Sequence, residues 1–549
     1  MEKLFNILKS WDENQKCIIQ TYQQLFFIRV METVGIVPLK KYQANYDVYS
    51  KSFETEISQI LYYANMNDYS IRNKNDIIVL YNFLIKELNT KINILLESVS
   101  LNEILGQLYS LAAYQAEFHG RIAMVLNKND EVDKFHNIEE LEIEILSFIL
   151  KNKSYDFEVS SIYSSDKNAI QYLIEKCFHI VPNENLNRQF TPLIFRRVYT
   201  LTLIIIYLIA ERDIITSRFD SNNVVRIKNY MLLPSINNAE KMNSIMQDYR
   251  IDLSKSIEYY PPEIMNKLER NMHRCCGFRL QTIKKMLCKD KRTIKDNYII
   301  NIVDEQTLTV AISNDGECSS DEAKKIIEFF SISSINTHKI YKSIENLENR
   351  IFEKAFLPLN LESKKYYLFS YTLLVYSYEV LRRKLIYNLI PSCQGINSRI
   401  IEKYFKNELV MRTKLVFQKY TENILINVHK VEDCRVPKFT LTNEIDLLLV
   451  LNKKVYIIEC KDIYYKFTPH GFKSDIDKTN SFINTMQKKI NNIIDHKDKF
   501  EVIFQSKIQE VVSVIVFKTY NLAIEAEFDK KGVHMVNFNN LQAWIEKYK

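Results

Sequence analysis

Near the C-terminus, Glu444-Ile-Asp446 and Glu459-Cys-Lys461 lie at the far ends of two apolar runs, Leu447–Leu451 and Val455–Ile458, joined through Asn452-Lys453-Lys454. The spacing predicts two strands and a tight turn. Strand alternation predicts Glu444 and Asp446 on one face of the first strand, with Ile445 and Leu447 on the other. It puts Glu459 and Lys461 on one face of the second, with Ile458 and Cys460 behind them. A hairpin then brings Asp446, Glu459 and Lys461 to one place. Two carboxylates that converge suit a hard divalent cation with oxygen ligands, most simply Mg²⁺, with Mn²⁺ as its substitute. A cation held there polarises a phosphate and lowers the pKa of a bound water, while Lys461 orients that water or neutralises developing charge. Without the cation the two carboxylates repel, and one takes up a proton more readily.

The elements that must position these residues can be read on either side. The sequence predicts a helix from Ser398 to about Tyr420, a strand from Asn423 to His429, and the hairpin strands near 443–451 and 454–461. A loop holding Pro469 and Gly471 leads to a helix from about Ser474 to Asp495. Strands at Val511–Phe517 and Gly532–Val536 follow, then a closing helix at Leu541–Tyr548. Helix, three strands, helix, strand is the order of an α/β sandwich around a mixed sheet. The hairpin's apolar runs have the composition of buried strands, where polar residues are costly without partners.

This order and these motifs resemble the PD-(D/E)xK restriction endonuclease-like nuclease superfamily, in its Mrr-like and NERD-like form. The signature stands here as Glu444-Ile-Asp446, a gap of 12 residues, and Glu459-Cys-Lys461. The resemblance covers about residues 398–549. It implies a metal-dependent DNA endonuclease fold with Asp446 and Glu459 as metal ligands, the backbone carbonyl of Cys460 as a further ligand, and Lys461 as a catalytic group. It also implies a glutamate on the first helix completing the metal shell, for which Glu408 is preferred to Glu402. A glutamine or lysine on the helix after the second hairpin strand is implied to face the site. Gln487, in the run Gln487-Lys-Lys489, fills that place, beside a buried stripe of Phe482, Met486, Ile490 and Ile493. Glu444 faces the same way as Asp446 and flanks the site.

Charge is consistent with a polyanionic partner. Of the net +7, residues 391–549 carry 25 Lys+Arg against 19 Asp+Glu, and residues 1–390 carry the remaining 49 against 48. Lys466, Lys473, Lys488 and Lys489 are candidates for a groove that tracks the phosphates of DNA. His429, His470 and His496 are too scattered for a histidine metal site. The chain has eight glycines, no GxxxxGK[ST] and no GxGxxG, which argues against a phosphate-binding loop or a dinucleotide fold.

The whole chain reads as multidomain. Residues 1–290 are a mainly α-helical N-terminal region, with apolar residues at three and four spacing in Ile78-Leu80-Leu84-Ile85-Leu88 and in Leu105-Leu108-Leu111. Residues 291–390 form a middle region, with predicted strands at Asn297–Asp304 and Thr307–Ser313, a helix through Phe330 capped at Ser319, and a long aromatic helix from about Ser363 to Leu389. Pro391-Ser-Cys-Gln-Gly-Ile-Asn-Ser398 marks the boundary to the nuclease-like region, 391–549. The nine cysteines are odd in number and mostly isolated, as in a reduced cytoplasmic protein. His273, Cys275, Cys276 and Cys288 cluster without a CxxC pair, which leaves helix residues or a zinc site open. The N-terminus lacks a signal-peptide pattern. Val198–Ala210 is an apolar run of 13 residues, against the ~20 of a spanning helix, so a buried helix is expected and no membrane partner.

The expected function is Mg²⁺-dependent DNA cleavage, with the helical region regulating or targeting it through a protein partner or homo-oligomer, in restriction or anti-phage defence. A nucleic-acid-binding or scaffold protein with an inactive nuclease-like domain is the alternative from another class. Repair or recombination is the alternative setting for a nuclease.

Overall fold

A computed structural model describes residues 2–36, 43–128, 139–178, 189–216, 224–235, 262–289, 300–332, 351–361, 364–386, 388–463, 469–518, 521–524 and 529–549. The chain is a large helical region followed by an α/β unit built on a mixed sheet.

The helical region begins with α1 (Glu2–Thr33), α2 (Gln43–Tyr63), α3 (Lys74–Leu96), α4 (Leu101–Lys128), α5 (Glu140–Lys151), α6 (Asp156–Cys177) and α7 (Pro192–Thr216). Its apolar stripes bury Leu80, Leu84 and Leu88 of α3 and Leu105, Leu108 and Leu111 of α4. Each such side chain contributes about 1.5–3 kcal/mol on burial. Among the described residues α7 is the one helix long and apolar enough to cross a membrane. It packs against α1, α3 and α6, and Phe195, Val198, Tyr199, Leu201 and Ile205 are fully buried, as expected for a core helix. Its Glu211 is buried too, accepting the hydroxyls of Tyr81 at 2.6 Å and Tyr207 at 2.8 Å.

A small antiparallel sheet interrupts the helices, formed by β1 (Tyr69–Ile71), β2 (Val224–Lys228) and β3 (Met231–Ser235). It is too short to stand out from the helical pattern in sequence. Then come α8 (Pro262–Cys276) and α9 (Leu280–Lys289).

Two expectations for the middle region fail. β4 (Asn301–Asp304) is a strand, but the following segment is a helix, α10 (Glu305–Gly316), not a second strand at Thr307–Ser313. Residues 297–299 lie outside the described residues. Asp304 caps α10, its carboxylate accepting the N–H of Thr307 at 2.9 Å, and this local cap outweighs the β-branched composition. α11 (Ser320–Phe330) forms as expected, with the Ser319 hydroxyl accepting the N–H of Glu322.

The aromatic segment divides in the same way. β5 (Phe356–Leu361) and β6 (Lys364–Phe369) pair antiparallel, and only then does α12 (Tyr371–Ile386) begin. Alternating Tyr366, Tyr367, Leu368 and Phe369 satisfy a strand as well as a helix, and β6 pairs with β4 on its other side. These elements share one apolar core with the helical region. Tyr109 of α4, for example, donates to the carbonyl of Ala355 at 2.6 Å.

α13 (Gln394–Phe405) packs on α8, where Asn271 donates to Asn397 at 2.9 Å. A π-helical turn at Lys406–Val410 leads to α14 (Met411–Phe417). The sheet contains β7 (Ile424–Val431), β8 (Phe439–Leu451), β9 (Lys454–Lys461), β10 (Glu510–Phe517) and β11 (His534–Asn537), in the order β11-β10-β9-β8-β7. β7/β8 and β8/β9 are antiparallel; β9/β10 and β10/β11 are parallel. The β8–β9 turn is Asn452-Lys453, with φ of 50° and 62°, the double left-handed geometry that matches strand twist in a two-residue hairpin.

Helices cover both faces. α15 (Pro469–Asp495) and α16 (Lys497–Phe504) pack Ile483, Met486, Ile493 and Phe500 on Leu448, Val450, Ile457 and Ile515. α16 is not apparent from the sequence, where His496 and the charges around it break the apolar pattern. α14 and α17 (Leu541–Tyr548) pack Phe417, Leu541 and Ile545 on Leu447, Tyr456, Ile458 and Val514. α15 also contacts α7, so one helix touches both the sheet and the helical region.

Candidate active site

The site forms where β8 and β9 part. Their register runs from Leu451 opposite Lys454 to Leu447 opposite Ile458 and goes no further. On the other side of β8, Ile426 pairs with Leu447 and Val428 with Ile445, while Asn427 drops out of the ladder with φ of 50°. Asp446 lies at this break. Its Oδ2 accepts the backbone N–H of Cys460 at 2.8 Å, so a carboxylate bridges the strands where a carbonyl would otherwise do so.

The break also corrects the alternation. Ile445 packs in the same cluster as Leu448 and Val450, and Leu447 packs in the opposite one with Leu449. The two-residue period therefore slips between Ile445 and Leu447, and Asp446 turns inward between the strands.

Asp446 and Glu459 are both buried. Burial first, then the negative charge of Glu459 and a hydrogen bond shared with it, raise the Asp446 carboxyl to about 7; the Cys460 N–H and Lys461 oppose this. Lys461 Nζ is 3.8 Å from Glu459 Oε2 and stands over the Phe482 ring at 5.1 Å, with about a quarter of its side chain exposed. The three expected residues thus meet. Cys460 turns its thiol to the other face, 3.6 Å from Thr413 Oγ1, and burial pushes the thiol's pKa up.

Lys489 is the residue the sequence misplaces. It is buried, and its ammonium contacts both Glu459 Oε2 and the carbonyl of Glu444. It is not a surface phosphate contact. Its position is legible in hindsight: three residues after Met486 and four before Ile493, it falls on the buried stripe of α15, and a lysine on such a stripe needs an anionic partner.

Gln487 lies off that stripe and donates instead to the carbonyl of Lys531 at 2.9 Å, away from the carboxylates. Glu408 lies in the π-helical turn and forms ion pairs with Arg412 at 3.3 Å and Lys518 at 3.5 Å; Lys518 continues to Asp462 at 3.4 Å. These contacts set Glu408 beside the C-terminal ends of β9 and β10, the end at which Glu459 and Lys461 stand, and engage it with two cations. Glu402 is exposed on α13. Lys488 is exposed on α15; Lys466 and the side chain of Lys473 lie outside the described residues.

As a donor set for a metal, the site is small. Among the described residues no group of three or more His, Cys, Asp or Glu converges. Two carboxylates are nevertheless enough for a cation that keeps several waters and takes further oxygens from a phosphate. The chain matches no protein-family model and no curated protein.

Proposed function

We propose that the protein is a metal-dependent phosphodiesterase of the PD-(D/E)xK type, with DNA as substrate and its site at Asp446, Glu459 and Lys461. The observation that carries this reading is the pair of buried, interacting carboxylates at a parted strand pair, next to a partly exposed lysine. Two carboxylates buried side by side repel, and each costs several kcal/mol unless compensated.

Asp446 and Glu459 would hold Mg²⁺ or Mn²⁺. The cation would supply a more acidic water and neutralise charge on the scissile phosphate. Lys461 is assigned the attacking water, which it orients, or the charge that builds on the phosphate. The Cys460 N–H fixes Asp446 through one oxygen and leaves the other for the site. Lys489 holds Glu459 in one rotamer. Lys488, with Lys466 and Lys473, is assigned to phosphates along the strand, contacts that give affinity without sequence information. The helical region is assigned targeting or restraint, as in restriction or anti-phage defence.

Plasmid cleavage with Mg²⁺, against the same reaction in EDTA, tests the reading. Wild type nicks or linearises DNA only with the metal, and Asp446→Asn and Lys461→Ala do not. Equal cleavage by the variants contradicts it.

One observation favours a second reading. Lys489 already compensates Glu459, and a site filled by an internal ammonium suits a nuclease-like domain that binds nucleic acid without cutting. Tight DNA binding with no metal-dependent cleavage on duplex, branched or single-stranded substrates supports that alternative.

A further inference from the structure

The C-terminal end of α8 meets the turn that leads into α13. Cys276, the last residue of α8, has its sulfur 3.9 Å from that of Cys393, which lies in the short 3₁₀ turn Pro391–Cys393. Ser392 Oγ is 3.4 Å from the Cys276 sulfur. Cys393 is fully buried, whereas Cys276 is half-buried and reachable from solvent. These residues are more than a hundred positions apart in the chain, so a bond between them would tie the helical region to the segment entering the sheet.

We propose that Cys276 and Cys393 are a modification site: a thiol pair that a hydroperoxide oxidises to a disulfide. Reading the cluster as a metal site fails, because no group of three or more His, Cys, Asp or Glu is arranged to hold a cation among the described residues. Cys288, which the sequence groups with them, is exposed on α9.

The geometry suits the chemistry. The sulfurs must close from 3.9 Å to the ~2.05 Å of a disulfide, a shift within reach of side-chain rotation and small movement at a helix end. The Cys276 thiol is held below the ordinary thiol range, first by its hydrogen bond with Cys393, then by Ser392 and the Lys354 ammonium, against the opposing effect of burial. A lowered pKa enlarges the share of thiolate, the reactive form.

Hydrogen peroxide is the simplest oxidant of the class. The Cys276 thiolate attacks one peroxide oxygen; the S–O bond forms, the O–O bond breaks, and the departing hydroxide takes a proton to become water. Cys276 is then a sulfenic acid. Cys393 loses its proton to the leaving hydroxide and attacks the Cys276 sulfur; the S–S bond forms, the S–O bond breaks and a second water leaves. Two thiols lose two electrons and one peroxide becomes two waters. A disulfide formed this way in a chain of otherwise free cysteines is of the redox-responsive kind.

The full chain, reduced and freed of reductant, is treated with near-equimolar hydrogen peroxide, trapped with N-ethylmaleimide and mapped by peptide mass. Exposed Cys17 and Cys434 serve as internal controls. The expected result is a Cys276–Cys393 cross-linked peptide, formed at least about tenfold faster than either control is oxidised and lost on adding dithiothreitol. In Cys393→Ser a dimedone-reactive sulfenic acid accumulates at Cys276. The proposal is overturned if Cys276 and Cys393 remain alkylated while the controls oxidise, or if Cys276 pairs with Cys275 instead. Wild type alone decides this, whether or not the variant folds.

Discussion

Asp446 is tied to Cys460: its Oδ2 accepts the Cys460 N–H at 2.8 Å, in the gap where β8 leaves β9. The bond has two consequences. It fixes the carboxylate between strands that no longer pair, and it commits a titratable group to a buried position against Glu459.

The first prediction concerns pH. Asp446 has a folded pKa near 7, above the ~3.9 of an unfolded aspartate, so the folded state binds the extra proton between those values. Its contribution to stability is therefore complete below about pH 4 and is lost as pH rises to about 7. Asp446→Asn keeps an acceptor for the Cys460 N–H and removes the charge. It should stabilise the metal-free protein at pH 8, on the order of 1–3 kcal/mol, and change it little at pH 4. Urea unfolding at the two pH values measures this. A variant less stable than wild type at pH 8 would count against the assignment.

The second concerns Lys489. Its ammonium compensates Glu459, so Lys489→Met leaves that carboxylate beside Asp446 with Lys461 as its remaining ion-pair partner among the described residues. The metal-free variant should lose about 3–5 kcal/mol, the usual cost of breaking a buried pair. Ca²⁺, a non-catalytic stand-in, should restore more of its melting temperature than it adds to wild type. Equal Ca²⁺ shifts in the two proteins would show that Lys489 and the cation do not share Glu459.

Sequence and structure agree most closely where buried strands leave little freedom. Leu447–Leu451 and Val455–Ile458 are strands, the Asn452-Lys453 turn has the geometry its residues suit, and α17 runs from Leu541 to Tyr548. The meeting of Asp446, Glu459 and Lys461 was legible for the same reason. What was not legible depends on departures from ideal periods. The slip at Asp446 lies opposite the left-handed Asn427 of a neighbouring strand, and no local pattern reports a partner strand's conformation. Gln487 and Lys489 are two residues apart on one helix, and only the rotation of α15 about its axis decides which faces the carboxylates. In the middle region, Thr307–Ser313 has β-forming residues but a cap at Asp304, and the cap prevails.

The third prediction separates binding from chemistry. Lys461 touches Glu459 at 3.8 Å yet supplies no oxygen to a cation. Lys461→Ala should retain the Ca²⁺-induced rise in melting temperature while cleaving DNA about 10²–10⁴-fold more slowly. Loss of both together would make Lys461 a structural residue.

The fourth uses Gln487 and Glu408, each engaged by groups other than Asp446 and Glu459. Gln487→Ala removes a hydrogen bond to Lys531, and Glu408→Gln loosens the ion pairs with Arg412 and Lys518. Each should cost about 1 kcal/mol or less and leave the Mg²⁺ dependence of cleavage within about twofold of wild type. A tenfold weaker Mg²⁺ dependence in Glu408→Gln would restore that residue to the metal shell.

Manganese binding tests the central claim most directly. Wild-type crystals soaked in Mn²⁺ should show one anomalous peak in contact with oxygens of both Asp446 and Glu459, absent from crystals of Asp446→Asn. A peak that persists in the variant, or wild-type crystals with no manganese between those two carboxylates, would contradict the account.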